Sequence, residues 1–215
     1  MLNNLIKKIK SATGVFADKK MFSVFIGAGA SCPCLYFFNI TKDLKNADAF
    51  IWDNPDEKNL PNSNLNNGIF IYAHGDLDRL ESFYYTKESI RKYISDRLWN
   101  KFSVNSKLTY FHVCFGSQII ANNNTLRNKF PYWVSYSGEI IVLKSTKFPE
   151  LEEFYKDLLN EILNAAFKAQ SPMELELLIK EINRNMKGKI RLQNNLRNML
   201  IATIGNNMQY ITHSA

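Results

Sequence analysis

Two residues in this chain have the side chains and the setting for covalent chemistry. His74 stands in Tyr72-Ala-His-Gly75, and Cys114 in His112-Val-Cys-Phe-Gly116-Ser117. A free thiol is a weak acid, with a pKa of about 8.5, and its thiolate is the nucleophile. An imidazole within reach takes the thiol proton and later returns it to a leaving group. Gly75 lets the backbone approach closely, so its N–H and that of Cys114 form a candidate oxyanion hole. One such donor is worth about 100- to 1,000-fold in turnover. Gly116 and Ser117 permit a sharp exit from strand to helix behind the thiol, and Ser117 is a candidate cap for that helix.

Other polar groups fall near the same two positions. Asp76 and Asp78 follow His74, and Ser137 and Glu139 lie in a turn further on. A carboxylate in a cleft pairs with a basic substrate side chain. Asp76, Glu139 and Ser137 are therefore candidate substrate-binding residues, the alternative for each acid being a solvated loop carboxylate. Arg79 and Arg127 are the candidates for gripping an acidic side chain instead. His112 shares a strand face with Cys114 and reads as a packing residue.

The elements that must position these groups follow from the apolar pattern. Runs at 21–26, 47–52, 68–73 and 108–113 read as strands. The run at 68–73 lacks alternation, as expected of strands buried on both faces of a parallel sheet. Further strands are expected at 132–136 and 140–143, joined at Ser137-Gly138-Glu139. Helical spacing predicts a short helix at 3–10 and another over 86–102, capped at Thr86 or Ser89. A strong helix follows from Pro149 and is broken by Pro172, with one or two more after Met173. The prolines and polar residues of 53–67 predict an exposed loop. That loop and 122–129 are candidate sites of activating cleavage. Strands alternating with helices give an α/β fold with helices on both faces of a mostly parallel sheet. Reactive groups in such sheets gather at the carboxyl ends of the strands, which is where His74 and Cys114 fall.

Composition sets the outer limits. The chain has 215 residues, 46% hydrophobic and 22% charged, with three cysteines. This is ordinary for one globular domain. No apolar stretch is long enough to cross a membrane, and Lys19 and Lys20 interrupt any secretory core. An odd, small number of cysteines argues for a reducing compartment, so a cytoplasmic location is expected. The net charge is +7, but residues 1–20 hold five lysines against Asp18 and residues 180–215 hold six basic residues against Glu181. The basic character thus belongs to the ends, as solvated helix faces or as a docking surface. No recognisable nucleic-acid motif accompanies it, so nucleic acid is not an expected partner.

Two rival motifs occur in the chain. Gly27-Ala-Gly-Ala-Ser31 after the first strand resembles the nucleotide loop of sirtuin-like proteins, which bind NAD. It departs from them in continuing as Cys32-Pro-Cys34-Leu-Tyr-Phe-Phe. Cys32-x-Cys34 suggests zinc, but a structural site needs four ligands, and neither a metal nor a cofactor is expected. Lipase and Walker-type signatures do not occur.

The order and placement of the His and Cys motifs resemble the caspase–hemoglobinase fold, in particular the bacterial CHAT-like and caspase-like peptidases. In that group a His-Gly ends one strand and a Cys ends the next; here the His precedes the Cys by forty residues, close to the caspase pattern of a His roughly fifty residues upstream. Tyr132-Trp-Val-Ser-Tyr-Ser-Gly-Glu-Ile and the helix at 148–169 resemble their later strand and last core helix. His112 departs from the small or acidic residue usual two positions before the Cys. The resemblance covers 21–169 and implies a three-layer α/β core with an N-terminal helix at 1–20 and a C-terminal helical extension at 170–215. It implies a thiol protease in which His74 is the base and Cys114 the nucleophile, acting on a protein substrate. It also implies a bacterial setting, with antiviral defence or a neighbouring-gene partner as the analogous role, and a regulatory protein docking on the basic C-terminal helices. A caspase-like fold that binds a partner without cutting it is one alternative, and a sirtuin-like NAD-binding or NAD-consuming protein using the 27–31 loop is the other.

Overall fold

Strand β1 (Met21–Ile26) pairs in parallel with β2 (Ala47–Trp52) on one side and with β3 (Ile69–Tyr72) on the other. Next come β6 (Thr109–His112) and β7 (Trp133–Tyr136), both parallel, and then β8 (Ile211–His213), antiparallel to β7. The sheet order is β2-β1-β3-β6-β7-β8. A separate antiparallel hairpin joins β4 (Tyr84–Lys87) to β5 (Ile90–Tyr93). The structure, a computed structural model, describes residues 21–27, 33–52, 69–87, 90–100, 108–143 and 147–215. The expected helix at 3–10, the loop at 53–67, Ser89, and residues 28–32 of the Gly-rich loop lie outside the described residues.

Parallel neighbours need crossovers. Among the described residues α1 (Pro33–Thr41) lies between β1 and β2, α2 (Asp96–Trp99) between β3 and β6, and α3 (Gly116–Asn122) and α4 (Asn124–Lys129) between β6 and β7, while α5 (Pro149–Lys168), α6 (Pro172–Lys187) and α7 (Asn194–Gln209) lie between β7 and the antiparallel β8. Alternate strand residues face opposite sides of the sheet, and both sides are apolar. Phe25, Phe70, Tyr72, Tyr110, Val134 and Tyr136 pack with α1, α5, α6 and α7. Val24, Ile26, Ile69, Ile71, Phe111 and Val113 pack with Tyr85 of the hairpin, Trp99, Ile119, Ile120 and Leu126. This is an α/β fold with a mostly parallel six-stranded sheet between helical layers. Among the described residues no helix is long and apolar enough to cross a membrane.

Three expectations are corrected. Residues 86–102 do not form one helix: Thr86 lies in β4, and among the described residues of this range only Asp96–Trp99 is helical. The apparent helical stripe fails because Ile90 is 62% exposed while Ile94 is buried. Aromatic and β-branched residues at 84–86 and 90–93 instead favour paired strands, in register Tyr84↔Tyr93. Residues 140–143 are not a strand but an irregular segment. Residues 122–129 are not an open loop: α4 is capped by Asn123, whose side chain is buried and accepts from Leu126 N at 2.8 Å.

Residues 170–215 are woven into the core. Pro172 opens α6 at its first turn, capped by the Ser171 side chain, where proline lacks no needed donor. Leu175, Ile179, Leu200, Ile204 and Ile211 share one apolar cluster with the sheet. Of the basic residues at this end, Lys180 forms an ion pair with Glu176.

Candidate functional site

Tyr72 and His112 are partners in the parallel register of β3 and β6. Parallel neighbours lie about 4.8 Å apart, so residues equally far beyond such a pair leave the sheet at the same level. His74 and Cys114 each stand two residues past it. The two turns touch through their backbones: a Cβ built on Gly75 would lie 1.7 Å from the Cys114 carbonyl oxygen. Only glycine fits this approach. The sequence-derived pair His74 and Cys114, with Gly75, is thus brought to one edge of the sheet.

The turn carrying His74 is held by the hairpin. Its carbonyl accepts from Tyr84 N at 3.0 Å. The imidazole stacks on the Tyr84 ring, centroids 5.2 Å apart and planes 22° from parallel. Asp76 is 6% exposed, and its Oδ2 accepts from Arg91 and from the Tyr93 hydroxyl, both at 2.6 Å. Its Oδ1 accepts from Asp78 N at 3.0 Å. The Tyr93 hydrogen bond first, then the bonds from Asp78 N and Arg91, hold the Asp76 carboxyl below its usual range against the opposing effect of burial. The Asp76 carboxylate is therefore committed within the protein, where it ties the hairpin to the His74 turn. Arg79 lies over the Tyr93 ring at 4.3 Å and Arg91 over the Tyr84 ring at 5.1 Å.

The turn carrying Cys114 is strained. Phe115 has φ 54°, among the described residues the one non-glycine in the left-handed region, a conformation that costs a bulky residue roughly 1–3 kcal/mol. The sharp exit lies at Phe115 and not at Gly116. Gly116 instead makes room for Ser135, whose Oγ would be 2.1 Å from a Cβ there. The N-cap of α3 is Phe115, without a side-chain bond, and Ser117 Oγ donates to Gln118 Oε1 at 2.8 Å.

The segment after β7 walls the thiol. Cys114 Sγ accepts from Ile140 N at 3.4 Å and donates to Ile140 O at 3.7 Å. Burial pushes the Cys114 thiol above its ordinary range; the Ile140 N–H opposes this and the Glu139 carboxylate adds to it. Glu139 itself is exposed. Ser137 faces the chain's end: its N–H and Oγ donate to Tyr210 O at 2.7 and 3.3 Å. Its carbonyl accepts from Gln118 Nε2 at 2.6 Å. Arg127 is engaged locally, donating to Ala121 O at the end of α3 and to Asn124 Oδ1 of its own helix.

His112 packs. It stacks on Tyr72 with centroids 4.5 Å apart and meets the Tyr110 hydroxyl through Nδ1 at 3.2 Å. Burial lowers its pKa to about 3, so the ring is neutral at physiological pH. Tyr84, Gln118, Asn207 and Tyr210 belong to the site's framework and were missed in the sequence. Gln118 alone carried a signal, being in the first turn after the thiol. Gly27, the described part of the Gly-rich loop, extends the β1–β2 ladder by donating to Trp52 O at 3.3 Å. Among the described residues no group of three or more His, Cys, Asp or Glu is arranged to hold a metal ion.

Comparison of the chain with protein-family models and with curated proteins finds no match.

Proposed function

We propose that this protein is a cysteine endopeptidase of caspase–hemoglobinase type that uses a His74–Cys114 dyad. The observation that carries the reading is the common level of the two residues at the ends of adjacent parallel strands, with Gly75 pressed on the Cys114 carbonyl. Strain at Phe115, directly behind the thiol, supports it, since such conformations gather at functional turns.

The chemistry runs as acyl transfer. The thiol is held protonated by burial, so attack needs a base. His74 takes the Sγ proton as sulfur bonds to the substrate carbonyl carbon. The oxyanion is held by the N–H groups of Gly75 and Cys114. His74 returns the proton to the amine as the C–N bond breaks, leaving a thioester. Water, deprotonated by His74, then releases the acid and restores the thiol. Glu139, exposed beside the sulfur, favours a basic substrate side chain near the scissile bond.

The test is selective alkylation. Iodoacetamide adducts are mapped by mass in wild type and in His74→Ala, alongside cleavage of a diverse peptide mixture. The expected result is preferred labelling of Cys114 that depends on His74, and peptide cleavage lost in both His74→Ala and Cys114→Ala. Labelling of Cys114 that ignores His74, with no peptide cut, overturns the proposal.

A further inference from the structure

The end of α7 grips the wall of the thiol site. The Asn207 side chain makes a two-way contact with the backbone of Ile141: Oδ1 accepts from Ile141 N at 2.9 Å, and Nδ2 donates to Ile141 O at 2.8 Å. A primary amide used this way pairs with an extended residue as a neighbouring strand would, and here it replaces the strand pairing that 140–143 lacks. One residue earlier, Ile140 N donates to Cys114 Sγ. Tyr210, just beyond α7, fixes the other end of the segment. It accepts from Ser137 N, and its ring fills the space beside Gly138, where a Cβ would come within 2.4 Å of Cδ1. Residues 137–141 are thus clamped between the thiol turn, through Phe115 N to Gly138 O at 3.0 Å, and the C-terminal helix.

We propose that Asn207 is a positioning residue for Cys114, acting through the Ile140–Ile141 backbone, so that α7 is the element through which thiol reactivity is set. The proposal rests on Cys114 being the nucleophile but not on any substrate. Asn207 fixes both polar groups of Ile141. That fixes the Ile140–Ile141 peptide plane and with it the Ile140 Cα. The adjoining Glu139–Ile140 peptide, carried on that Cα, aims the Ile140 N–H at sulfur, where a hydrogen bond favours the thiolate. The ionisable groups facing the sulfur are Glu139 of the same segment, Tyr72 of β3, Tyr84 of β4 and Tyr136 of β7, with His74 on the adjoining turn. Asn207 carries no charge, so its effect on the thiol comes through geometry alone.

The experiment measures the pH dependence of Cys114 alkylation by iodoacetamide in the full chain, as wild type, Asn207→Ala and Asn207→Gln. Buried Cys34 serves as an internal monitor of folding. For Asn207→Ala the expected result is a rise in the apparent Cys114 pKa of at least about half a unit. Labelling at neutral pH then falls about threefold or more, with Cys34 still protected. Asn207→Gln keeps donor and acceptor one methylene further out and restores part of the rate. It carries the test alone if Cys34 becomes reactive in the alanine variant. The same shift is expected in a His74→Ala background, which separates this proposal from the peptidase reading. An unchanged Cys114 profile in the folded variants overturns it. So does faster labelling with Cys34 protected, since the segment would then shield the thiol and not orient it.

Discussion

Gly75 and Cys114 meet backbone to backbone: a Cβ on Gly75 would fall 1.7 Å from the Cys114 carbonyl oxygen and 2.8 Å from its carbonyl carbon. No side-chain rotation relieves a clash with main chain, so Gly75→Ala must push the His74 and Cys114 turns apart. Overpacking of this kind costs about 1–3 kcal/mol. The expected outcome is a lower urea midpoint together with loss of His74-dependent labelling of Cys114. A variant with wild-type midpoint and wild-type labelling would show that the turns do not need this contact.

The hairpin is the second support. Asp76 joins the His74 turn to Arg91 and Tyr93 of β5, while Tyr84 of β4 stacks on His74. The Asp76 carboxyl is held below its usual range in the fold, led by the Tyr93 hydrogen bond. Its stabilising contribution is therefore complete above the unfolded carboxylate pKa of about 3.9 and is lost as pH falls through the lower folded value. Asp76→Asn is expected to loosen the hairpin at neutral pH, speeding hydrogen exchange at Tyr84 N, and to remove this part of the acid dependence. Unaltered exchange at Tyr84 would mean the hairpin is held by its apolar contacts alone.

Strand burial was legible because it is written in composition: Ile69-Phe-Ile-Tyr72 is apolar throughout and buried throughout. The level of His74 and Cys114 followed from the same runs, since parallel strands deliver their ends to one edge. What could not be read were pairings between segments distant in sequence. Ile140-Ile-Val-Leu143 has strand composition, but its polar groups are met by Asn207 and Tyr155, neither of which is local. Ile90 and Ile94 fit the helical and the strand period alike, so the sequence reads as a helix where the hairpin lies, and only tertiary packing decides which of them is buried. Ile211–His213 is too short to announce itself as a strand without β7 beside it. Asp76 reads as a substrate ligand in sequence because its partners, Arg91 and Tyr93, belong to a hairpin whose pairing the sequence does not show.

Glu139 gives a prediction of opposite sign to Asn207. Its exposed carboxylate adds to the elevation of the Cys114 pKa. Removing the charge in Glu139→Gln therefore lowers the thiol pKa and speeds alkylation at neutral pH. Because the group faces solvent, the effect is small, about twofold, and shrinks as salt is raised toward 1 M, where the screening length is about 3 Å. Slower alkylation in Glu139→Gln would show that the residue acts on the segment's conformation and not through its charge. Measuring the rate in low and high salt separates the two.

His112 is kept neutral by burial, its pKa lowered to about 3, against an unfolded value of about 6.5. Below pH 6.5 the unfolded chain takes up a proton that the folded one refuses. Stability then rises with pH across this window: present in full above about 6.5, it drains away as pH falls toward 3. The upper part of the window lies above the range in which the carboxylates titrate, so His112 is separable there. His112→Phe tests the assignment with little packing loss, because the ring is already stacked on Tyr72 and Phe70 and meets Tyr136 edge-on. It also removes Nε2, a buried nitrogen with no hydrogen-bond partner among the described residues. The Tyr110 hydroxyl keeps its 2.6 Å bond to Tyr136. The variant is expected to show a urea midpoint that falls less steeply than wild type between about pH 6.5 and pH 4.5. A parallel decline in the two proteins would show that His112 does not carry the acid sensitivity.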